Sequence, residues 1–181
     1  MSRLPILLAC LFLAVFAAAC GDDSEDEASA PQETATATAT AEPETVGEVD
    51  PESISTDLTE KPQVAQPSGT PPTELQTVDI VKGKGKAAKA GDTVSVQYVG
   101  NSWSTGAQFD ASWDRGSEPF TFPLGAGQVI PGWDQGVVGM KKGGRRLLVI
   151  PPDLAYGAQS PSPDIGPNET LIFVVDLEKI G

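Results

Sequence analysis

Residues 91–100 read Gly-Asp-Thr-Val-Ser-Val-Gln-Tyr-Val-Gly. Val94, Val96 and Tyr98 occupy alternate positions, and polar residues lie between them. Because successive side chains of a strand point to opposite faces, this alternation predicts a β-strand with one apolar face. The stretch therefore favours a sheet that buries this face against another layer.

Further strand patterns follow along the chain. Residues 118–124 and 171–177 also alternate, with large apolar side chains in phase. Residues 146–150 form a short apolar run that ends at Pro151-Pro152. These segments, together with residues 93–98, predict a mostly antiparallel sheet.

One helix signal lies between the strands. Trp133, Val137 and Met140 fall at helical spacing after Pro131, and proline suits the first turn of a helix. Gly136 weakens the signal because glycine is a poor helix former. The prediction is an α+β fold: a β-sheet with one short α-helix.

The composition excludes several kinds of catalyst. The chain has 181 residues and no histidine, which removes Ser-His-Asp and Cys-His catalysis and imidazole metal sites. Its two cysteines, Cys10 and Cys20, form no zinc-binding cluster. We therefore predict neither a metal site nor a cofactor, and a chemistry based on aromatic rings, carboxylates and backbone groups.

The net charge of -13 is confined to one part of the chain. Residues 1–72 contain 13 acidic and 2 basic residues, whereas residues 73–181 contain 12 acidic and 10 basic residues. The nearly balanced second part argues against a nucleic-acid partner. Its short basic groups, Lys82 to Lys89 and Lys141 to Arg146, are interpreted as solvated surface.

The N-terminus has the features of an export signal. Arg3 precedes an apolar run from Leu4 to Ala19, and small residues lead to Cys20 before the sequence turns polar. This arrangement resembles a bacterial lipoprotein signal peptide, which implies that Cys20 is lipidated and becomes the mature N-terminus. An ordinary secretory signal cut at the same bond and an uncleaved anchor are the alternatives.

Residues 20–72 are acidic and lack aromatic residues. Such a segment cannot bury enough apolar surface to offset its ordering entropy, which predicts a disordered linker. The predicted organisation is a signal peptide over 1–19, a lipid-anchored disordered linker over 20–72, and a folded domain over 73–181.

Several motifs in the folded part resemble those of FKBP-type peptidyl-prolyl cis-trans isomerases. The resemblance spans about 100 residues at near-constant spacing. The motifs are Gly91 to Gly100, Phe109-Asp110-Ala111-Ser112, Pro119 to Gly125, Gln128-Val129-Ile130-Pro131-Gly132-Trp133, Gly139 to Gly143, Ile150 to Gly157 and Leu171 to Leu177. The resemblance implies a twisted antiparallel sheet wrapped over one short helix, with the ligand in the apolar hollow between them.

The resemblance also implies a set of site residues. Those implied to act in catalysis are Tyr98, Phe109, Asp110, Tyr156 and Phe173. Those implied to bind substrate are Phe120, Val129, Ile130, Trp133 and Ile165. Arg115 is the expected charge partner of Asp110. The apolar members of the set could equally be core residues, so the polar groups of Tyr98, Asp110 and Tyr156 are the more informative.

The activity implied is rotation of X-Pro peptide bonds, which needs no nucleophile. We expect a monomer that acts on proline-containing polypeptides outside the cytoplasm, is held at a membrane by its lipid, and is inhibited by macrolides such as tacrolimus or rapamycin. The alternative is a non-catalytic binding or chaperone module of the same fold. Two features depart from the family. Residues 159–167 offer Ile165 as their one large apolar side chain, and the stretch between Gly100 and Phe109 is slightly lengthened. Trp103 in that stretch fits either the core or the rim.

Overall fold

A computed structural model describes residues 47–181. The predicted signal peptide, Cys20 and the linker as far as residue 46 lie outside the described residues. The strands are β1 (Gln76–Val81), β2 (Lys84–Ala87), β3 (Thr93–Ser102), β4 (Gln108–Ala111), β5 (Phe120–Pro123), β6 (Lys141–Lys142), β7 (Gly144–Ile150) and β8 (Leu171–Ile180). Helix α1 spans Pro131–Gly136, and 3-10 turns span Pro51–Ser53, Ser112–Arg115 and Pro152–Leu154.

Six strands form one antiparallel sheet, and five of them lie in the order β1-β7-β8-β3-β4. β5 also pairs with β3: it lies beside Thr93 to Val96, whereas β4 lies beside Val99 to Asn101. β2 and β6 form a separate two-stranded ribbon. The predicted α+β fold, an antiparallel sheet with one short helix, is confirmed.

Helix α1 packs on one face of this sheet, which we call the inner face. Two glycines make the contact close: a Cβ on Gly132 would lie 2.3 Å from Ile150, and one on Gly136 would lie 2.8 Å from Leu148. Gly136, which weakens the helix signal in the sequence, therefore lets the helix approach β7. Trp133 and Val137 fill the space beside it, with exposed fractions of 4% and 0%.

The opposite face, which we call the outer face, carries a second apolar cluster. β7 contributes Leu147 and Val149 to it, and β8 contributes Ile172 and Val174. The cluster is covered by residues 47–72, here called the N-terminal arm, whose Val49 and Ile54 are only 3% and 2% exposed. Trp103 is 6% exposed and belongs to this cluster, so it is a core residue.

The predicted disordered linker is thus wrong over residues 47–72. The arm contributes few apolar side chains, but the outer face of β7 and β8 supplies the rest of the cluster. The burial of this outer face, rather than the arm's own composition, provides the free energy that orders the arm.

A buried arginine fixes the arm to the sheet. Arg145 on β7 is fully buried, and its Nε and Nη2 donate to the Asp176 carboxylate at 2.6 and 2.7 Å. Its Nη1 also donates to the carbonyl of Ser55 at 2.5 Å, and Nη2 donates to that of Glu60 at 3.0 Å. Burial raises the pKa of Asp176, and Arg145 opposes this shift. The interpretation of Arg145 as solvated surface is therefore wrong.

Arg146 is not free surface either. Its guanidinium donates to Asp79 at 2.6 Å and to the carbonyl of Gly136 at 2.7 Å. It thereby links β1 and β7 to the end of α1.

Within residues 47–181, no helix has the length and apolarity needed to cross a bilayer.

The arm's contribution to stability can be measured with Ile54→Ala. Removal of this buried side chain should lower the free energy of unfolding by about 2 to 4 kcal/mol, because a cavity remains in the outer cluster. Val78→Ala is the control, since Val78 is 38% exposed and its truncation should change stability by under about 0.5 kcal/mol. Urea unfolding followed by tryptophan fluorescence measures both. Equal stability of the two variants would contradict a structural role for the arm.

Candidate active site

A cavity of about 420 Å³ opens beside the amino end of α1. It contains nine of the ten residues predicted to act in catalysis or to bind substrate. Its lining residues are Tyr98, Phe109, Asp110, Phe120, Gly127, Gln128, Val129, Ile130, Trp133, Tyr156 and Phe173. They come from β3, β4, β5, the loop before α1, α1 itself, the turn after β7, and β8, so the cavity exists only in the folded chain.

Aromatic rings form the floor and walls of the cavity. The Trp133 ring lies 5.1 Å from that of Tyr98 and 5.2 Å from that of Phe173, both edge to face. Phe109 meets Phe173 edge to face at 5.5 Å. Phe120 lies 6.2 Å from Trp133 and is 40% exposed, which places it at the rim. The edge-to-face contacts fix the rings in one arrangement.

Gly100 on β3 allows two of these rings to meet. A Cβ at this position would lie 2.7 Å from both the Phe109 and the Phe173 ring. Any side chain would therefore separate the rings or move them into the cavity. Gly100 is the cross-strand partner of Asp110 on β4 and of Phe173 on β8. It therefore lies between the two strands that carry the Phe109 and Phe173 rings.

Three polar side chains form a network at the edge of the aromatic wall. The Tyr98 hydroxyl donates to Asp110 Oδ2 at 2.5 Å and accepts from Arg115 Nη2 at 2.7 Å. Arg115 Nη1 donates to the other Asp110 oxygen. The Arg115 guanidinium also lies 5.6 Å from the centre of the Tyr98 ring. The expected pairing of Asp110 with Arg115 is present.

Burial and the neighbouring Asp110 favour the protonated form of the Tyr98 and Tyr156 phenols. Burial raises the pKa of Tyr98, and its hydrogen bond to Asp110 raises it further. Burial also raises the pKa of Tyr156, and the charge of Asp110 adds to this. Hydrogen bonds to Tyr98 and Asp110 raise the pKa of Arg115. The cavity therefore presents neutral hydroxyls, and the Arg115 guanidinium behind Tyr98 stays charged, across the physiological range.

The 3-10 turn that carries Arg115 is anchored to β3. Ser112 is fully buried; its hydroxyl accepts from the Tyr98 N–H at 2.9 Å and donates to Gln97 Oε1 at 2.5 Å. At the other end of the turn, Asp114 accepts from Lys61 of the N-terminal arm at 2.7 Å. The arm thus contacts the turn that positions the polar network.

Two groups at the cavity are available to a ligand. The Ile130 N–H makes no backbone hydrogen bond within residues 47–181, although its carbonyl accepts from Trp133 and Asp134 as α1 begins. The Tyr156 hydroxyl, in a side chain that is 39% exposed, has no hydrogen-bond partner in the part of the chain described here. Both groups can bind the main chain of an extended peptide.

The loop before α1 is held by a residue that the sequence analysis did not single out. Asp134 accepts from the N–H groups of Gly125 at 2.7 Å and Gly127 at 2.9 Å. The bonds fix the loop that presents Gln128, Val129 and Ile130. A carboxylate one helical turn after a glycine-rich loop is a signal that could have identified it.

Ile165 is the predicted site residue that does not line the cavity. It is 4% exposed and packs in the inner apolar cluster, and its carbonyl accepts from the Ser160 hydroxyl at 2.5 Å.

Gly127 and Gln128, by contrast, line the cavity without having been predicted. The available signal is that Gln128 begins the matched motif and that Gly127 directly precedes it. Over residues 47–181, no group of three or more acidic, cysteine or histidine side chains could hold a metal ion.

Comparison with known proteins identifies the family. The model of the FKBP-type peptidyl-prolyl cis-trans isomerases matches residues 84–178. An FK506-binding protein of Streptomyces anulatus is 60% identical over 119 residues, which cover 65% of this chain and 95% of the relative. A probable FK506-binding protein of Corynebacterium glutamicum is 46% identical over 118 residues, covering 65% of this chain and 97% of the relative.

Solved structures agree with this assignment. The crystal structure of AtFKBP13 superposes with a TM-score of 0.54 at 38% identity, covering 61% of this chain and 95% of that one. FkpA from Escherichia coli gives a TM-score of 0.53 at 47% identity, covering 60% of this chain and 48% of that one. With its family match, its sheet wrapped over α1 and its aromatic cavity, the chain belongs to the FKBP-type peptidyl-prolyl cis-trans isomerase family.

Proposed function

We propose that the cavity catalyses cis/trans isomerisation of X-Pro bonds in exported polypeptides. The observation that carries this proposal is the combination, in one cavity, of an aromatic lining with the Ile130 N–H and the Tyr156 hydroxyl, both unpaired within residues 47–181. The rings accept a proline ring, and the two polar groups hold the peptide on either side of it. No step requires a nucleophile or a metal.

The chemical step is rotation about a peptide bond. The barrier of about 18 to 20 kcal/mol arises from C–N resonance, which gives the planar amide a charge-separated character. Twisting the bond reduces this charge separation, so an apolar cavity disfavours the planar amide more than the twisted transition state. Each 1.4 kcal/mol of this preference gives about a tenfold rate increase.

The family resemblance implies a role for each cavity residue, and the proposal adopts these roles. Trp133 forms the platform under the proline ring, while Tyr98, Phe109 and Phe173 surround the carbonyl that rotates. Asp110 and Arg115 hold the Tyr98 ring at the wall through its hydroxyl. Val129 and Phe120 bound the rim, where they contact the residue that precedes the proline.

A second candidate function is a binding or chaperone module that holds proline-containing segments without useful catalysis. The observation favouring it is the segment of residues 159–167, whose one large apolar side chain, Ile165, is buried in the core. This segment therefore offers no large apolar side chain to a bound peptide. The two functions differ in whether binding is accompanied by faster rotation.

We further propose that the domain acts outside the cytoplasm as a membrane-tethered monomer. The apolar run from Leu4 to Ala19 and the cysteine that follows it support export and lipidation at Cys20. The relatives named FK506-binding proteins support tacrolimus, and the similar macrolide rapamycin, as inhibitors that occupy the cavity.

Exchange NMR with a Leu-Pro or Phe-Pro peptide tests the catalytic proposal. The chain from residue 21 to 181 should accelerate cis/trans exchange, and tacrolimus or rapamycin should abolish the acceleration. The same peptide reports binding through line broadening and catalysis through the rate of exchange between its isomers. The experiment therefore distinguishes the two candidate functions. Binding without faster exchange would leave only the binding module.

Tyr156→Phe is the matched variant for this experiment. It removes one hydroxyl that has no partner in residues 47–181, so the fold should be unchanged. The exchange rate should fall about tenfold, the equivalent of one hydrogen bond to substrate. Near-ultraviolet circular dichroism checks the fold, and an unchanged rate would remove Tyr156 from the mechanism.

The pH dependence provides a separate test. The raised pKa values of Tyr98, Tyr156 and Arg115 mean that these groups lose protons only on the alkaline side of their ordinary values. The chain contains no histidine, and rotation transfers no proton. Catalysed exchange should therefore stay nearly constant from about pH 6 to 8 and fall only above about pH 10. A bell-shaped profile with limbs inside the neutral range would contradict the mechanism.

Metabolic labelling with a fatty acid tests the tether. The wild-type chain expressed in a bacterial host should incorporate label, whereas Cys20→Ala should not, because Cys20 is the proposed attachment site. Label retained in the Cys20→Ala protein would contradict lipidation there. An unlabelled, secreted wild-type protein would instead support the ordinary secretory signal.

A further inference from the structure

Cationic side chains are unevenly distributed over the folded part of the chain. The three arginines within residues 47–181 each pair with an aspartate: Arg115 with Asp110, Arg145 with Asp176 and Arg146 with Asp79. Most lysines lie together on and beside the β2–β6 ribbon. The lysine patch, as we call it, consists of Lys82, Lys84, Lys86, Lys89, Lys141 and Lys142, all of them exposed.

Carboxylates balance only part of this patch. Asp92 pairs with Lys86 at 3.1 Å and accepts from the backbone N–H of Lys89 at 3.0 Å. In the part of the chain described here, Lys82, Lys84, Lys141 and Lys142 have no carboxylate partner within 4.0 Å. The patch therefore carries uncompensated positive charge on a body that is otherwise acidic, with 17 acidic and 11 basic residues over residues 47–181.

The strand register adds a local energetic cost. Lys84 and Lys142 are direct cross-strand partners in the antiparallel ribbon. Like charges placed opposite each other destabilise a strand pair. An anion that binds between or above the two ammonium groups would relieve this repulsion, so the register points to an anionic ligand.

A small cavity lies next to the patch. Its volume is about 160 Å³, and its lining residues include Lys82, Lys141, Arg146 and Asp79. Because Asp79 already accepts from Arg146 at 2.6 Å, the two lysines remain to attract an anion. The cavity extends the positive surface into a recess that could receive an anionic headgroup.

The patch is joined to the core and does not share residues with the lining of the aromatic cavity. Beside it, the Ala88 N–H donates to the Met140 carbonyl at 2.8 Å, and the Ala88 carbonyl accepts from the Gly139 N–H at 2.9 Å. Ala88 and Met140 are 1% and 2% exposed, which anchors the ribbon in the core. The ribbon follows the carboxyl end of α1, whereas the aromatic cavity lies at the amino end with Ile130 and Trp133. A large surface bound to the patch would leave that cavity accessible.

We infer that the lysine patch is a docking surface for an anionic phospholipid membrane. The inference rests on the proposed membrane-tethered function, because a lipid on Cys20 would keep the domain near a bilayer. The acidic remainder of residues 47–181 would repel a long polyanion that wrapped around the domain, whereas a membrane contacts only one side. Docking orients the domain with its aromatic cavity directed away from the lipid.

Vesicle co-sedimentation tests this inference without any isomerase assay. The chain from residue 21 to 181, which lacks Cys20, should bind phosphatidylcholine vesicles that contain about 30 mol % phosphatidylglycerol, and high salt should release it. It should not bind vesicles of phosphatidylcholine alone. Each patch lysine should contribute about fivefold to partitioning, so Lys142→Gln should weaken it about fivefold and Lys84→Gln/Lys142→Gln about 30-fold.

Lys61→Gln is the matched control, because it removes one positive charge from the arm, away from the patch. It should change partitioning by less than about twofold. Equal losses in Lys61→Gln and Lys142→Gln, or equal binding to neutral vesicles, would overturn the inference. So would tighter binding to single-stranded DNA that the double variant abolishes, since the patch would then be a nucleic-acid site. None of these outcomes depends on isomerase activity or on lipidation.

Discussion

The two-sided burial of β7 and β8 is the constraint on which the rest of the structure depends. Both strands bury apolar side chains on the inner and outer faces, so each face needs a cover. Helix α1 and the strands around it cover the inner face, where the aromatic cavity remains. The N-terminal arm covers the outer face and reaches the turn that carries Arg115 through the Lys61–Asp114 pair. One sheet thus connects the site to a segment on its opposite side.

The candidate site is part of the inner core rather than an addition to it. Trp133, Tyr98 and Phe173 are at most 7% exposed, and they belong to the same cluster as the aliphatic core. Close packing fixes their rings, so the cavity is preorganised before any peptide arrives. The cost is that mutations at these positions alter stability and activity together. Phe120 and Tyr156 at the rim are less coupled to the fold because each is more than a third exposed.

The sequence was informative where a pattern is local or a motif is complete. Alternation in residues 93–98 and 171–177 predicts β3 and β8, and the family motifs predict nine of the cavity residues. The N-terminal arm was missed because order there depends on a partner surface far away in sequence. A signal did exist in residues 147–150 and 172–175, which are apolar at every position and so require burial on both faces. The sequence reveals that Ile165 is an apolar loop residue, but not that its side chain packs in the inner cluster instead of the cavity lining.

The contacts of Arg145 with the arm have a consequence for which sequences the arm can tolerate. The guanidinium binds main-chain carbonyls at Ser55 and Glu60, and every residue type supplies such a carbonyl. Evolution can therefore replace the side chains at these two positions without breaking the attachment. A segment held in this way drifts towards the composition of a spacer while it remains part of the fold, so a domain boundary drawn from composition alone falls too late in the chain.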